Sequence, residues 1–173
     1  RALARLEHMQ VAIVLLGAGD FNTGYAEMLE KTSLELGLGA NVRITTSSRD
    51  MPAALMLADV VVMPSIHPEP FGRIAIEAQA MGRPVIAFDH GGARETILEG
   101  KTGWLAKPND IDSLSANLKA ALSISKSKRN ELSNLAQSSV KRRFSVRKMT
   151  NSTLEIYRKL LLKKGFSPLV LGK

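Results

Sequence analysis

With 173 residues, 45% of them apolar and 23% charged, the chain has the make-up of an ordinary globular domain with room for one compact core. It holds no cysteine, which excludes disulfides and thiolate chemistry, and no apolar run near the ~20 residues that cross a bilayer. The net charge of +8 is gathered in one place: between Lys126 and Lys164 twelve Lys or Arg face only Glu131 and Glu155, so the remainder is slightly acidic.

In chain order, RALARLEHM (1–9) reads as the tail of a helix, with Leu3 and Leu6 on one side. Nothing in it resembles a secretory signal, and a cytoplasmic protein is expected. VAIVLLG (11–17) is a continuous β-branched run closed by glycine, the pattern of a parallel strand buried on both faces. A helix follows from about Asn22 to Leu36, stopped by Gly37 and Gly39. NVRIT is a short strand, Met51 to Leu57 a short helix, and DVVVM a buried strand ended by Pro64. The alternation continues through GRIAIEAQAM (helix), RPVIAF (strand), GGARETIL (helix) and TGWLA (strand). After Pro108 only helices remain, over about Asp110–Ser123, Ser127–Phe144 and Ser145–Lys163, with Ser127 and Ser145 as the expected N-caps.

Strict alternation with apolar strands predicts an α/β fold, a Rossmann-like doubly wound parallel sheet followed by C-terminal helices. Ligands of such sheets sit beyond the carboxyl ends of the strands, here the loops after Leu16, Thr45, Met63 and Phe88.

The richest stretch is PSIHPEPFGRIAIEAQAMGRPVIAFDHGGARETI, residues 64–97. It leaves a strand, turns through two prolines and enters a helix near Gly72. The N–H groups of Phe71, Gly72 and Arg73 thereby come to a helix N-terminus, where free donors and the dipole suit a diphosphate. A plain turn glycine is the competing reading. Glu69 precedes the helix and Glu77 lies within it. On the helical wheel Ile74, Ala75, Ala78 and Met81 share an apolar face, with Glu77 at its edge. Either Glu77 pairs with Arg73, four residues before it, or it accepts hydrogen bonds from ligand hydroxyls. His8, His67 and His90 lack metal-ligand spacing, so no metal site is expected; His67 and His90 lie in crevice loops, open to contact with a sugar or acceptor. No Ser-His-Asp arrangement stands out.

Glu69-Pro-Phe-Gly, Glu77 after seven intervening residues, Ala78, Gly82, Pro84-Val85 and Gly91-Gly92 with Glu95 together resemble the signature of the retaining GT-B glycosyltransferases of group 1, family 4-like. That family uses nucleotide-diphosphate sugars and includes sucrose and glycogen synthases and lipopolysaccharide and mannosyl transferases. Thr102-Gly103-Trp104-Leu105 and the turn Gly17-Ala18-Gly19-Asp20 extend the resemblance, which runs from about Val11 to Phe144. Pro70 stands where glycine is common and Gln79 where methionine is common.

The resemblance implies a role for each matching residue. Glu77 would take the ribose hydroxyls, and Glu69, the catalytic candidate, would meet the donor sugar near its anomeric carbon. Phe71, Gly72 and Arg73 would offer main-chain N–H groups to sugar and diphosphate. The backbone of Arg43, Ile44 and Thr45 would border the base, and Gly17, in the glycine-rich turn, would belong to the donor site. Gly91, Gly92 and Glu95 are expected to be structural.

Residues 1–144 are then the donor-binding domain, and 145–173 a helix and tail that pack back towards an N-terminal acceptor domain. That domain, the first strand of this one, and the Gly-Arg and lysine that clamp the diphosphate would all precede residue 1. An incomplete sheet is expected, or one filled by a partner chain, and the isolated 173 residues should be inactive. No cofactor is implied beyond the nucleotide-sugar donor; the acceptor is a sugar or glycolipid, in lipopolysaccharide or other envelope glycan synthesis. A nucleotide-sugar epimerase of the same architecture and a non-catalytic nucleotide-binding module are the alternatives. The basic tail lacks the aromatic interleaving of nucleic-acid binders, so no nucleic acid is expected. It reads as a solvated face or as attraction to an anionic membrane, the inner face of the cytoplasmic membrane.

Overall fold

The computed structural model describes residues 1–6, 9–18 and 24–165. Five strands, β1 (Ile13–Leu16), β2 (Val42–Thr45), β3 (Val61–Met63), β4 (Val85–Phe88) and β5 (Gly103–Ala106), alternate with helices α1 (Tyr25–Glu35), α2 (Met51–Leu57), α3 (Arg73–Ala80) and α4 (Ala93–Thr96). Helices α5 (Ile111–Leu122), α6 (Lys126–Arg143) and α7 (Val146–Lys163) complete the chain. All strand pairs are parallel.

β4 is the centre of the fold. Its four residues are all buried, and their side chains alternate between two apolar layers. Val85 and Ala87 join Leu55, Met63, Ala75, Ala78, Ala93 and Ile97, the layer under α2, α3 and α4. Ile86 and Phe88 join Ala2, Leu6, Ala106, Leu114, Leu118 and Ala121, the layer under α5. A strand covered on both faces has no polar side, which is why VIAF carries no polar residue.

The parallel sheet is incomplete, as expected, and falls into two parts. β3–β4–β5 form one sheet and β1–β2 another, so β1 and β3 each have a strand neighbour on one side only. Within the smaller sheet Ile13 pairs with Val42 and Leu16 with Thr45. Here the reading of VAIVLLG as buried on both faces is corrected. Ile13 and Leu15 are half-buried, but Val14 is 63% and Leu16 38% exposed, and Arg43 and Thr45 are exposed beside them. α1 packs against β2 but buries no residue fully.

The caps follow local chemistry, with two adjustments. Asp50, Asp110 and Ser145 each accept a backbone N–H three residues on, from Ala53 at 3.0 Å, Ser113 at 2.9 Å and Lys148 at 3.3 Å. α6 is capped by Ser125 and not by Ser127: Lys128 N–H donates to Ser125 Oγ at 3.2 Å, so the helix begins at Lys126. The N-terminal segment is a short 3-10 turn, Ala2–Arg5, that buries Ala2 and Leu6 near α5.

α6 lies along α3 and buries Leu132, Ala136 and Ser139, and Arg129 anchors it to Asp59 at 2.7 Å. α7 buries nothing. Val146, Met149, Ile156, Tyr157 and Leu160, spaced along one side of it, are each more than half exposed. Among the described residues no helix is long and apolar enough to cross a membrane.

Candidate functional site

Of the two predicted carboxylates, Glu69 lies in the loop from β3 to α3 and Glu77 within α3. Gly72 ends the loop in the left-handed conformation (φ 76°) and no side chain caps the helix that follows. A side chain there would be strained by φ, and its Cβ would stand 3.3 Å from Met63 Cε. Residues entering a helix have N–H groups without intrahelical acceptors, and here Arg73 and Ile74 supply them. Of the donors expected from Phe71, Gly72 and Arg73, Arg73 lies in the first turn of the helix with Gly72 at its cap and Phe71 before it, and Ile74, which the sequence reading did not name as a donor, joins Arg73.

A second loop braces the first. β3 and β4 are adjacent and parallel, so the turn that leaves β4 lies beside the one that leaves β3. Gly92 N–H donates to the Glu69 carbonyl at 2.8 Å. A Cβ at Gly91 would lie 2.9 Å from Glu69 N and nearer still to its carbonyl oxygen, and one at Gly92 would lie 2.6 Å from three backbone atoms of Phe71. Backbone is thus packed on backbone from Glu69 to Phe71. The glycine pair serves structure, as expected, and Glu95 contributes its carbonyl, which accepts from Arg143 at the end of α6.

The individual side chains fall as follows. Glu69 is half-buried and Ser65 Oγ donates to its Oε1. Glu77 is reached by Arg73 at 3.1 Å, with side-chain exposures of 38% and 83%. That is the i, i+4 ion pair anticipated as one of two readings. Phe71 is half-exposed and stands edge-on to Phe144, ring centroids 5.8 Å apart, while Arg143 lies over the Phe144 ring at 4.8 Å. His67 is exposed. His90 packs near Phe88, and both its ring nitrogens are shielded from solvent without a hydrogen-bond partner among the described residues.

The wheel reading of α3 needs one correction. Ala75 and Ala78 are buried, but Ile74 is 44% exposed and its place inside is taken by Gln79. Gln79 Nε2 donates to the carbonyls of Ala75 (3.0 Å) and Thr96 (3.1 Å), and so ties α3 to α4. An amide can be buried there because a neighbouring helix end offers an acceptor.

Gly17, Arg43, Ile44 and Thr45 belong to the smaller sheet. Gly17 N–H donates to the Thr45 carbonyl at 3.0 Å, which joins the ends of β1 and β2. Arg43 folds back on its own strand, Nη1 at 3.0 Å from the Val42 carbonyl. Gly19, Asp20 and His8 lie outside the described residues. Sequence reasoning missed Ser65, Phe144 and Gln79; a serine four residues before Glu69 was the one local signal available. Among the described residues no three His, Asp or Glu cluster as metal ligands would.

The pattern that describes glycosyl transferases group 1 matches residues 1–139. A GDP-mannose-dependent alpha-(1-6)-phosphatidylinositol monomannoside mannosyltransferase of Mycolicibacterium smegmatis is 34% identical over 124 residues, 66% of this chain and 31% of that protein. Among solved structures, a glycosyltransferase from Rickettsia africae superposes with a TM-score of 0.86 at 30% identity, over 92% of this chain and 42% of that one. HepE of Anabaena, solved with UDP and glucose, gives 0.81 at 29% identity, over 91% and 43%. The chain spans less than half the length of these relatives. With a Glu69–Glu77 helix start braced by a glycine pair at the ends of parallel strands, and with these likenesses, the chain belongs to the group 1 glycosyl transferases and has the C-terminal-domain architecture of the GT-B fold.

Proposed function

We propose that this chain is the donor-binding half of a retaining glycosyltransferase that moves a sugar from a nucleotide-diphosphate sugar to an acceptor hydroxyl. The observation that carries the reading is the uncapped N-terminus of α3, flanked by Glu69 and Glu77 and fixed by the Gly91–Gly92 turn. As the bond from the anomeric carbon to the diphosphate breaks, negative charge grows on the leaving oxygens and positive charge on the sugar. The N–H groups of Arg73 and Ile74 oppose the first, and their geometry is set before the ligand arrives. Glu69 meets the sugar beside its anomeric carbon, and the acceptor oxygen attacks from the face the diphosphate leaves. Glu77 exchanges Arg73 for the vicinal ribose hydroxyls. The backbone of Arg43, Ile44 and Thr45 borders the base, Gly17 lines the donor site, and the donor needs no further cofactor.

HepE was solved with UDP-glucose, and the mycobacterial relative is named for GDP-mannose and a phosphatidylinositol mannoside. A glycolipid or envelope-glycan acceptor fits that company and a place at the inner face of the cytoplasmic membrane. In the whole protein the apolar side of α7 packs on the acceptor-binding half. The Lys and Arg residues of α6 and α7 then face anionic lipid.

The test is a thermal-shift panel on the full-length protein with UDP, GDP and their sugars, followed by transfer assays with the donor that stabilises it. A stabilising donor and a glycosylated product of retained configuration are expected. Glu69→Ala should lose turnover by about a hundredfold or more while holding the free nucleotide diphosphate, since it acts on the transition state. Interconversion of sugars without an acceptor would replace this reading by an epimerase, and binding without turnover by a nucleotide-holding module.

A further inference from the structure

Glu69 is held at its main chain from one side and at its side chain from another. The Gly91–Gly92 turn binds its carbonyl through the Gly92 N–H and packs its own backbone close against Glu69. A glutamate still has three side-chain torsions, and main-chain fixation does not choose among their wells. The choice is made by Ser65, whose hydroxyl donates to Glu69 Oε1 across the loop. Among the described residues this is the carboxylate's one hydrogen bond, and it engages a single oxygen. Oε2 has no hydrogen bond among the described residues. Ser65 itself sits in the same loop, two residues past the end of β3.

We propose that Ser65 is a positioning residue of the transfer reaction: its hydroxyl selects the Glu69 side-chain conformation that addresses the donor sugar. The proposal rests on Glu69 being the group that meets the sugar. A hydroxyl that merely steadied the loop would act on folding and donor binding together. One that positions a transition-state group acts on turnover, because small misplacements of a reacting group cost on the order of a hundredfold in rate.

The experiment compares wild type, Ser65→Ala, Ser65→Thr, Ser65→Cys, Glu69→Ala and the Ser65→Ala/Glu69→Ala double variant of the full-length protein. Transfer kinetics are read with UDP-glucose or GDP-mannose, whichever the protein uses, and UDP or GDP affinity by calorimetry. Ser65→Ala should lower kcat by about tenfold or more, with donor KM within about twofold and nucleotide diphosphate affinity unchanged. Ser65→Thr, which keeps the hydroxyl, should recover most of the loss. Ser65→Cys keeps the volume with a weak donor and should behave as Ser65→Ala, which carries the test if the alanine variant does not fold. The double variant should be no slower than Glu69→Ala alone, as expected of two groups acting as a unit. Wild-type kcat in Ser65→Ala or Ser65→Cys, or full additivity in the double variant, overturns the proposal while Glu69 keeps its role. Wild-type turnover in Glu69→Ala overturns the reading beneath it.

Discussion

Replacing Glu77 by alanine separates its two roles. In the free protein its carboxylate is paired with Arg73, four residues earlier on the same helix, at 3.1 Å. The guanidinium side is 83% exposed, so the pair contributes only about 0.3–0.5 kcal/mol. A carboxylate that takes ribose hydroxyls contributes about 1.5–3 kcal/mol to binding, as hydrogen bonds to a charged group do. It must first leave Arg73, which reduces the net to about 1–2.5 kcal/mol, or roughly 5- to 70-fold in affinity. Calorimetry with nucleotide diphosphate on full-length wild type and Glu77→Ala reads this directly. A thermal melt of the same proteins should show little change, because the ion pair is exposed. The loss should be the same for diphosphate and for donor sugar, since the ribose is common to both and is held equally in ground and transition states. Equal nucleotide affinity in the two proteins would reduce Glu77 to the partner of Arg73 and refute the assignment.

Three further outcomes follow from the packing. Gly92→Ala keeps a right-handed backbone that alanine accepts, so its effect is steric: the methyl overlaps Phe71 at 2.6 Å. It should lower stability by about 1–3 kcal/mol in denaturant titrations and weaken nucleotide diphosphate binding, and wild-type values for both would remove the brace. Leu132→Ala, at a position 1% exposed between α6 and α3, should lower stability by about 2–5 kcal/mol, seen as a reduced denaturation midpoint at unchanged slope. Vesicle cosedimentation of the full-length protein should require anionic lipid and decline from low salt to about 0.15 M; binding indifferent to both would leave the basic helices as solvated faces.

Much of the fold was legible because each strand of the three-stranded sheet is a short apolar run between breakers, and Met51–Leu57 carries its own cap and proline. What the sequence concealed depends on partners. VAIVLLG looks the same whether one or both faces are covered, since a continuous apolar run has no periodicity from which to count faces. Ile74 and Gln79 exchange the places that hydropathy assigns them because the Thr96 carbonyl, 17 residues on from Gln79, accepts its amide. Ser123, Ser125 and Ser127 are spaced two apart around the start of α6, and only the helix register decides which of them caps. The carboxylates and glycines of the candidate site stand out in the sequence as a pattern. The contacts between Ser65 and Glu69 and between Phe71 and Phe144 do not, because they are properties of loop geometry.

That geometry also divides the work between the two glycine-bearing turns. Both precede a helix at the carboxyl end of a strand, and either could serve as an anion cradle. The N–H of Gly92 is already committed to the Glu69 carbonyl, however, and α4, which follows it, has only four residues. Its turn cannot aim the same donor at a ligand and at Glu69. α3 has eight residues, no side-chain cap and Gly72 at its entrance, so its first amides have no acceptor within the helix. The loop after β4 therefore acts as a brace for the loop after β3. A substitution in the glycine pair should reach nucleotide binding by displacing Glu69 to Phe71, without either glycine touching the nucleotide.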